Sequence, residues 1–101
     1  MITITAVIRA VEGSEDALEE ALRDVAAYVR DHEPDTVGFF VSRSLGEPTI
    51  FTTYERFVDE AAKDRHNASP ATARFFEAAK TLVAPPVDLF TSVEVASRDD
   101  A

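Results

Sequence analysis

The chain contains no cysteine and no tryptophan, only two histidines and only three glycines. Without cysteine there is no disulfide framework, no thiolate metal site and no cysteine nucleophile. The two histidines are far apart and form neither a His-x-x-x-His nor a Glu-x-x-His pair, so no metal site is expected. Three scattered glycines supply no phosphate-cradling loop and no dinucleotide fingerprint, and no cofactor is expected on that ground. Positive charge is also scarce. Ten Lys and Arg face nineteen Asp and Glu, a net charge of −9, which removes the basic footprint that nucleic acids and anionic membranes require. No apolar run approaches the roughly 18 residues of a membrane span, and the first residues lack a signal-peptide pattern. A cytoplasmic protein is the expectation.

What is present fits one small domain. At 101 residues the chain can bury only about two-thirds of its unfolded surface. Residues 1–96 are expected to form that domain, with the polar residues 97–101 as a disordered tail. The start alternates: Ile2, Ile4, Ala6, Ile8 and Ala10 share one face, and Thr3, Thr5, Val7 and Arg9 the other, as in a half-buried strand. Gly13-Ser14 breaks it, with Ser14 as the expected helix cap and Glu15 and Asp16 in the first turn. Leu18, Leu22, Val25 and Val29 then recur at helical spacing, and Pro34 places the end near His32. The acids around this helix, Glu33 among them, read as a solvated face.

Strands are expected over Val37–Arg43 and Thr49–Arg56, joined by Leu45-Gly46-Glu47-Pro48. A short helix follows at about 59–67. Ser69-Pro70 opens another, with Phe75, Phe76, Ala79, Leu82 and Val83 as its core stripe and Pro85-Pro86 as its stop. Val87–Ala96 is the expected last strand. The order β-α-β-β-α-β, with the second helical region split, is that of an α+β, ferredoxin-like fold: a four-stranded antiparallel sheet with helices on one face. Val37, Phe39 and Val41 are expected to point one way and Phe40 the other, with Val7 and Phe90 adding to the uncovered face. An apolar face of that size predicts a homodimer packed sheet on sheet.

The segment from Tyr54 to Pro70 carries the chemistry. It reads Tyr54-Glu55, then Asp59-Glu60-Ala61-Ala62, His66-Asn67 and Ser69-Pro70. Together with the Gly13 turn, Glu33-Pro34 and Glu47-Pro48, this run resembles the antibiotic biosynthesis monooxygenase family, small dimeric α+β barrel proteins. The resemblance implies a cofactor-free monooxygenase that oxidises a small aromatic quinol- or anthrone-like substrate with dioxygen. Some relatives are isomerases with a similar run, and others have no assigned substrate. A haem-degrading branch uses a first-strand asparagine, a short-helix tryptophan and a last-helix histidine. Here Ala6 stands at the first place, no tryptophan exists, and Phe76 lies near the last. Haem degradation is therefore not expected. Many relatives carry a second histidine after the Ser-Pro pair, where this chain has Ala71.

The candidate site residues follow. His66 is either a general base or a helix-ending residue on a backbone carbonyl. A phenol titrates near ~10, His near ~6.5 and Glu near ~4.3, so proton transfer is uphill by about 5 kcal/mol to His and about 8 kcal/mol to Glu. Tyr54 would donate to a developing oxyanion, and Glu55 would pair with Arg43, Arg56 or His66. As strand neighbours, Tyr54 and Glu55 point to opposite faces unless the strand bulges. Phe39, Phe75 and Phe76 would wall a water-poor chamber. Asn67 is either a substrate contact or a helix stop. An isomerase or other proton-transfer enzyme on a small carbonyl compound remains an alternative, as does a non-enzymatic ligand-binding dimer.

Overall fold

The computed structural model describes residues 1–99; Asp100 and Ala101, the end of the expected disordered tail, lie outside the described residues. The elements run β1 (Ile2–Ala10), α1 (Glu15–His32), β2 (Thr36–Arg43), β3 (Ile50–Phe57), α2 (Glu60–Asn67), α3 (Pro70–Leu82) and β4 (Val83–Val93). The four strands form one antiparallel sheet in the order β2-β3-β1-β4, with β1 paired to both β3 and β4. This is the ferredoxin-like arrangement, with the helices on one face.

The alternation of β1 determines which face they cover. Ile4, Ala6, Ile8 and Ala10 are all buried, and α1 lays Leu18, Leu22, Val25 and Val29 on the same side. Each isoleucine, leucine and valine among them contributes roughly 1.5–3 kcal/mol when fully buried. Gly13 makes the turn between β1 and α1 with φ at +89°, a conformation open mainly to glycine. Ser14 occupies the cap position, but its hydroxyl makes no capping bond; the Glu15 carboxylate accepts the Gly13 N–H instead, at 3.0 Å.

The core forms two apolar clusters. One gathers Ala6, Ile8, Ala10, Leu18, Leu22 and Phe51, with Phe75 and Leu82 packed against it. The other joins Ile4, Phe57 and Ala62 under α2.

Three expectations need correction. Val37 does not share a face with Phe39 and Val41. β2 steps from Thr36 opposite Phe57 to Gly38 opposite Arg56, so Val37 is the extra residue of a bulge and lies exposed. Gly38 beside it sits tightly: a Cβ there would lie 3.0 Å from the Phe40 ring and 3.3 Å from Arg56 Cδ. Second, Pro85-Pro86 does not end α3. The helix stops at Leu82 and β4 starts at once, with the prolines in a stretch where the β1–β4 register shifts. Proline lacks an N–H, and the sheet's outer strand tolerates that loss. Third, Phe76 is not core; it is 62% exposed, although it follows the buried Thr72 by one helical turn and lines the same cavity as that residue.

The other sheet face carries Phe40, Tyr54 and Phe90, all exposed. Phe40 and Tyr54 stack across β2 and β3 with centroids 6.3 Å apart. No helix of the described residues is long and apolar enough to cross a membrane.

Candidate active site

The site begins with α2. Asp59 caps it, its carboxylate accepting the Ala62 N–H at 2.8 Å, and Ala62 and His66 form its buried side, one turn apart. The junction with α3 is held by the same histidine's backbone. The Thr72 hydroxyl donates to the His66 carbonyl at 2.8 Å, while Ser69 caps α3 by accepting the Thr72 N–H. His66 is thus neither frayed nor free to swing: its ring is 5% exposed and lies between the rings of Phe57 and Phe39, at centroid distances of 5.4 and 5.6 Å.

Both ring nitrogens meet carboxylates. Nδ1 lies 2.8 Å from Glu33 Oε1, and Nε2 lies 3.2 Å from Glu55 Oε1. Glu55 reaches the ring because β3 alternates, putting Phe51, Thr53, Glu55 and Phe57 on the helix side. Thr53 fixes its other oxygen, donating to Oε2 at 2.8 Å. Glu33 stands just past the end of α1, where its own N–H closes the helix on the Val29 carbonyl, and the Thr36 hydroxyl donates to its Oε1 at 2.8 Å. Glu33 Oε2 is buried without a hydrogen-bond partner among the described residues.

Burial is the largest single influence on the His66 proton and favours its loss. Hydrogen bonds to Glu55 and Glu33, with their charges, outweigh it together, so the imidazolium is held above its ordinary value of 6.5. His66 is a stronger base here than a free imidazole.

A cavity of about 330 Å³ adjoins this cluster. His66, Glu55, Thr53 and Asn67 supply its polar part; Ile4, Ala6, Ile8 and Val25 supply apolar wall, and Phe39, Phe75 and Phe76 the aromatic part. It is lined by members of both apolar clusters and opens beside β4, where Phe76 and Leu89 are more than half exposed. The expected chamber is therefore a cleft with a mouth, bordered by exposed side chains of α3 and β4.

Of the residues expected at a site, the structure brings His66, Glu55, Phe39, Phe75, Phe76 and Asn67 to this cavity. It does not bring Tyr54. That phenol lies on the opposite sheet face and donates to Glu94 Oε2 at 2.8 Å, and the Glu94 bond holds it above its ordinary titration range. The strand does not bulge between Tyr54 and Glu55, so the alternation stands and Glu55 is the inward one. Glu55 pairs with His66, the last of its three expected partners. Glu33, read in the sequence as one of many solvated acids, belongs to the site; its side chain is only 11% exposed. His32, its neighbour, is exposed and packs on Tyr28.

Comparisons with known proteins bear on the family and the fold. The model of the antibiotic biosynthesis monooxygenase family matches residues 1–78. A solved structure from Pseudomonas aeruginosa is 26% identical, with a TM-score of 0.85 over 94% of each chain. One from Shewanella oneidensis is 30% identical, with a TM-score of 0.81 over 90% of this chain and 89% of that one. A solved antibiotic biosynthesis monooxygenase shares the fold at 19% identity and a TM-score of 0.85, covering 95% of this chain and all of its own. No curated protein matches the chain.

Proposed function

Since this chain belongs to the antibiotic biosynthesis monooxygenase family, we propose that it is a cofactor-free monooxygenase for a small aromatic, quinol- or anthrone-like substrate. One observation carries this reading: an apolar, aromatic-walled cavity with a single strengthened base, His66 backed by Glu55, on its wall. At about 330 Å³ the cavity lies near the lower end of small-molecule pockets, which suits a compact ring system.

The chemistry asks little else of the protein. An acidic ring methylene loses a proton to the His66–Glu55 pair, and the resulting carbanion gives one electron to dioxygen. The radical pair combines into a peroxide. Its O–O bond breaks, leaving a ring carbonyl and one water. The methylene's two hydrogens and one oxygen atom end in that water, and the other oxygen in the product, so no external reductant is consumed. The carboxylates that raise His66 also lower the uphill cost of the first step. Phe39 and Phe75 would hold the ring plane, and Asn67 would meet a polar edge of the substrate.

An oxygen electrode tests the reading. The protein should consume one dioxygen per anthrone or take up oxygen with a quinol, and Glu55→Gln should lower turnover by about 10²–10⁴-fold. No uptake with any member of such a panel would overturn it. Exchange of a C–H proton on a small carbonyl compound without oxygen uptake would instead favour an isomerase. We also propose that the exposed Phe40, Tyr54 and Phe90 face is the seat of a homodimer.

A further inference from the structure

We infer that the cavity admits a neutral ring that brings its own hydrogen-bond donor, and turns away both carboxylate-bearing rings and rings whose polar groups are carbonyls alone. This rests on reading the cavity as the substrate site, and it narrows the substrate to a hydroxyarene with a free ring hydroxyl and no acidic substituent. The observation behind it is that the buried polar side chains of the lining already direct their hydrogens at other groups of the chain.

The polar lining consists of Thr53, Glu55, His66, Asn67 and Thr72. The Thr53 hydroxyl donates to Glu55 Oε2 at 2.8 Å. The Thr72 hydroxyl donates to the His66 carbonyl at 2.8 Å, and the Thr72 N–H to Ser69. Each His66 ring nitrogen faces a carboxylate, Nδ1 at Glu33 and Nε2 at Glu55, so the ring N–H points at an acid whichever nitrogen holds the proton. Asn67 carries the remaining amide and stands exposed at the edge of the cavity, where water competes for it. The interior is left with acceptors. An ionised carboxylate accepts about four hydrogen bonds. Glu55 is met within the chain by Thr53 and His66, which leaves lone pairs for a ligand.

Charge points the same way. Glu33 and Glu55 face one imidazole between them, so the cluster is net negative even with the ring protonated. Among the described residues, no Lys or Arg lines the cavity. An anionic substituent would enter a mostly apolar space without a counter-charge, and a carbonyl would bring lone pairs to lone pairs. A ring hydroxyl instead donates to an ionised carboxylate, the stronger class of hydrogen bond. The same wall sheds an oxidised ring that carries carbonyls and no hydroxyl, because its bond to Glu55 is lost.

Equilibrium dialysis of the purified protein at neutral pH tests this with probes built on one ring system. 1-Naphthol brings a donor and is neutral there, since a phenol titrates near ~10. Naphthalene and 1-methoxynaphthalene, one smaller and one larger, bring no donor. 1,4-Naphthoquinone brings acceptors alone, and 1-naphthoate brings a negative charge. 1-Naphthol should bind about tenfold or more tightly than either donor-free ring or the quinone, and about 10²-fold more tightly than 1-naphthoate. Nitrogen-15 signals of the His66 ring should move as 1-naphthol binds, which locates the probe in this cavity. Glu55→Gln exchanges an acceptor oxygen for a donor, and should bring 1-naphthol and the quinone within about threefold of each other. In the wild-type protein, either donor-free ring or 1-naphthoate binding as tightly as 1-naphthol overturns the inference, as does failure of every probe to bind. Those outcomes decide it even where the Glu55 variant does not fold. If the selectivity holds but no quinol or anthrone drives oxygen uptake, the monooxygenase reading fails and the recognition rule stands.

Discussion

His66 keeps its proton against burial only because two carboxylates face it. Its proton is bound more tightly in the folded chain than in the unfolded one, so linkage has a definite sign. The contribution to stability is complete below the ordinary value of 6.5 and is lost as pH rises through the folded value. Urea unfolding should therefore show stability falling above pH 6.5 in wild type and a flatter profile in His66→Ala. The same variant leaves Glu33 and Glu55 buried without their cation, and should lose about 3–5 kcal/mol in mild acid; an unchanged midpoint would show that the ring contributes no net stability. Half of this arrangement was legible in the chain. His66 and Glu55 stood out because each occupies an informative position, one closing a short helix and one alternating with Tyr54 on a strand. Glu33 did not, because its partner lies 33 residues away and its helix is crowded with other acids. Its one local mark is that it follows the last helical turn and precedes Pro34, off the solvated stripe.

At the level of elements, the eight-residue α2 exists to aim one side chain, and it is too short to be stable alone. Its order comes from the Asp59 cap, from burial of Ala62, and from the Ser69–Thr72 knot against the His66 carbonyl. Asp59→Ala should cost about 1 kcal/mol and raise hydrogen exchange across residues 60–67 more than in α1. Equal exchange in both helices would place the ordering elsewhere. Periodicity located these elements well: the α1 stripe and the β1 alternation are as read, since each repeats one local rule. It failed where the rule is interrupted by a partner strand. The Val37 bulge and the early start of β4 both depend on pairing register, which no window of neighbouring residues contains.

For the whole molecule, the sheet has one covered face and one that is not. Phe40, Tyr54 and Phe90 lie on the second, which also carries the Arg56–Glu94 ion pair at 2.8 Å. Light scattering on the purified protein should give twice the chain mass, and Phe40→Glu combined with Phe90→Glu should give the single mass with helix content retained. A wild-type monomer at micromolar concentration would overturn the dimer. Among the described residues, acids crowd α1 on the other side, where Arg43 bridges Asp16 and Glu19 but leaves the helix strongly negative. That repulsion discourages association through the helices. The prolines of β4 act at the remaining boundary. Successive backbone groups of a strand face opposite edges, so one of these two prolines removes a donor from the outer rim and interrupts the ladder an incoming chain would use there. That gap disfavours lateral growth into ribbons or fibrils at that end of the rim.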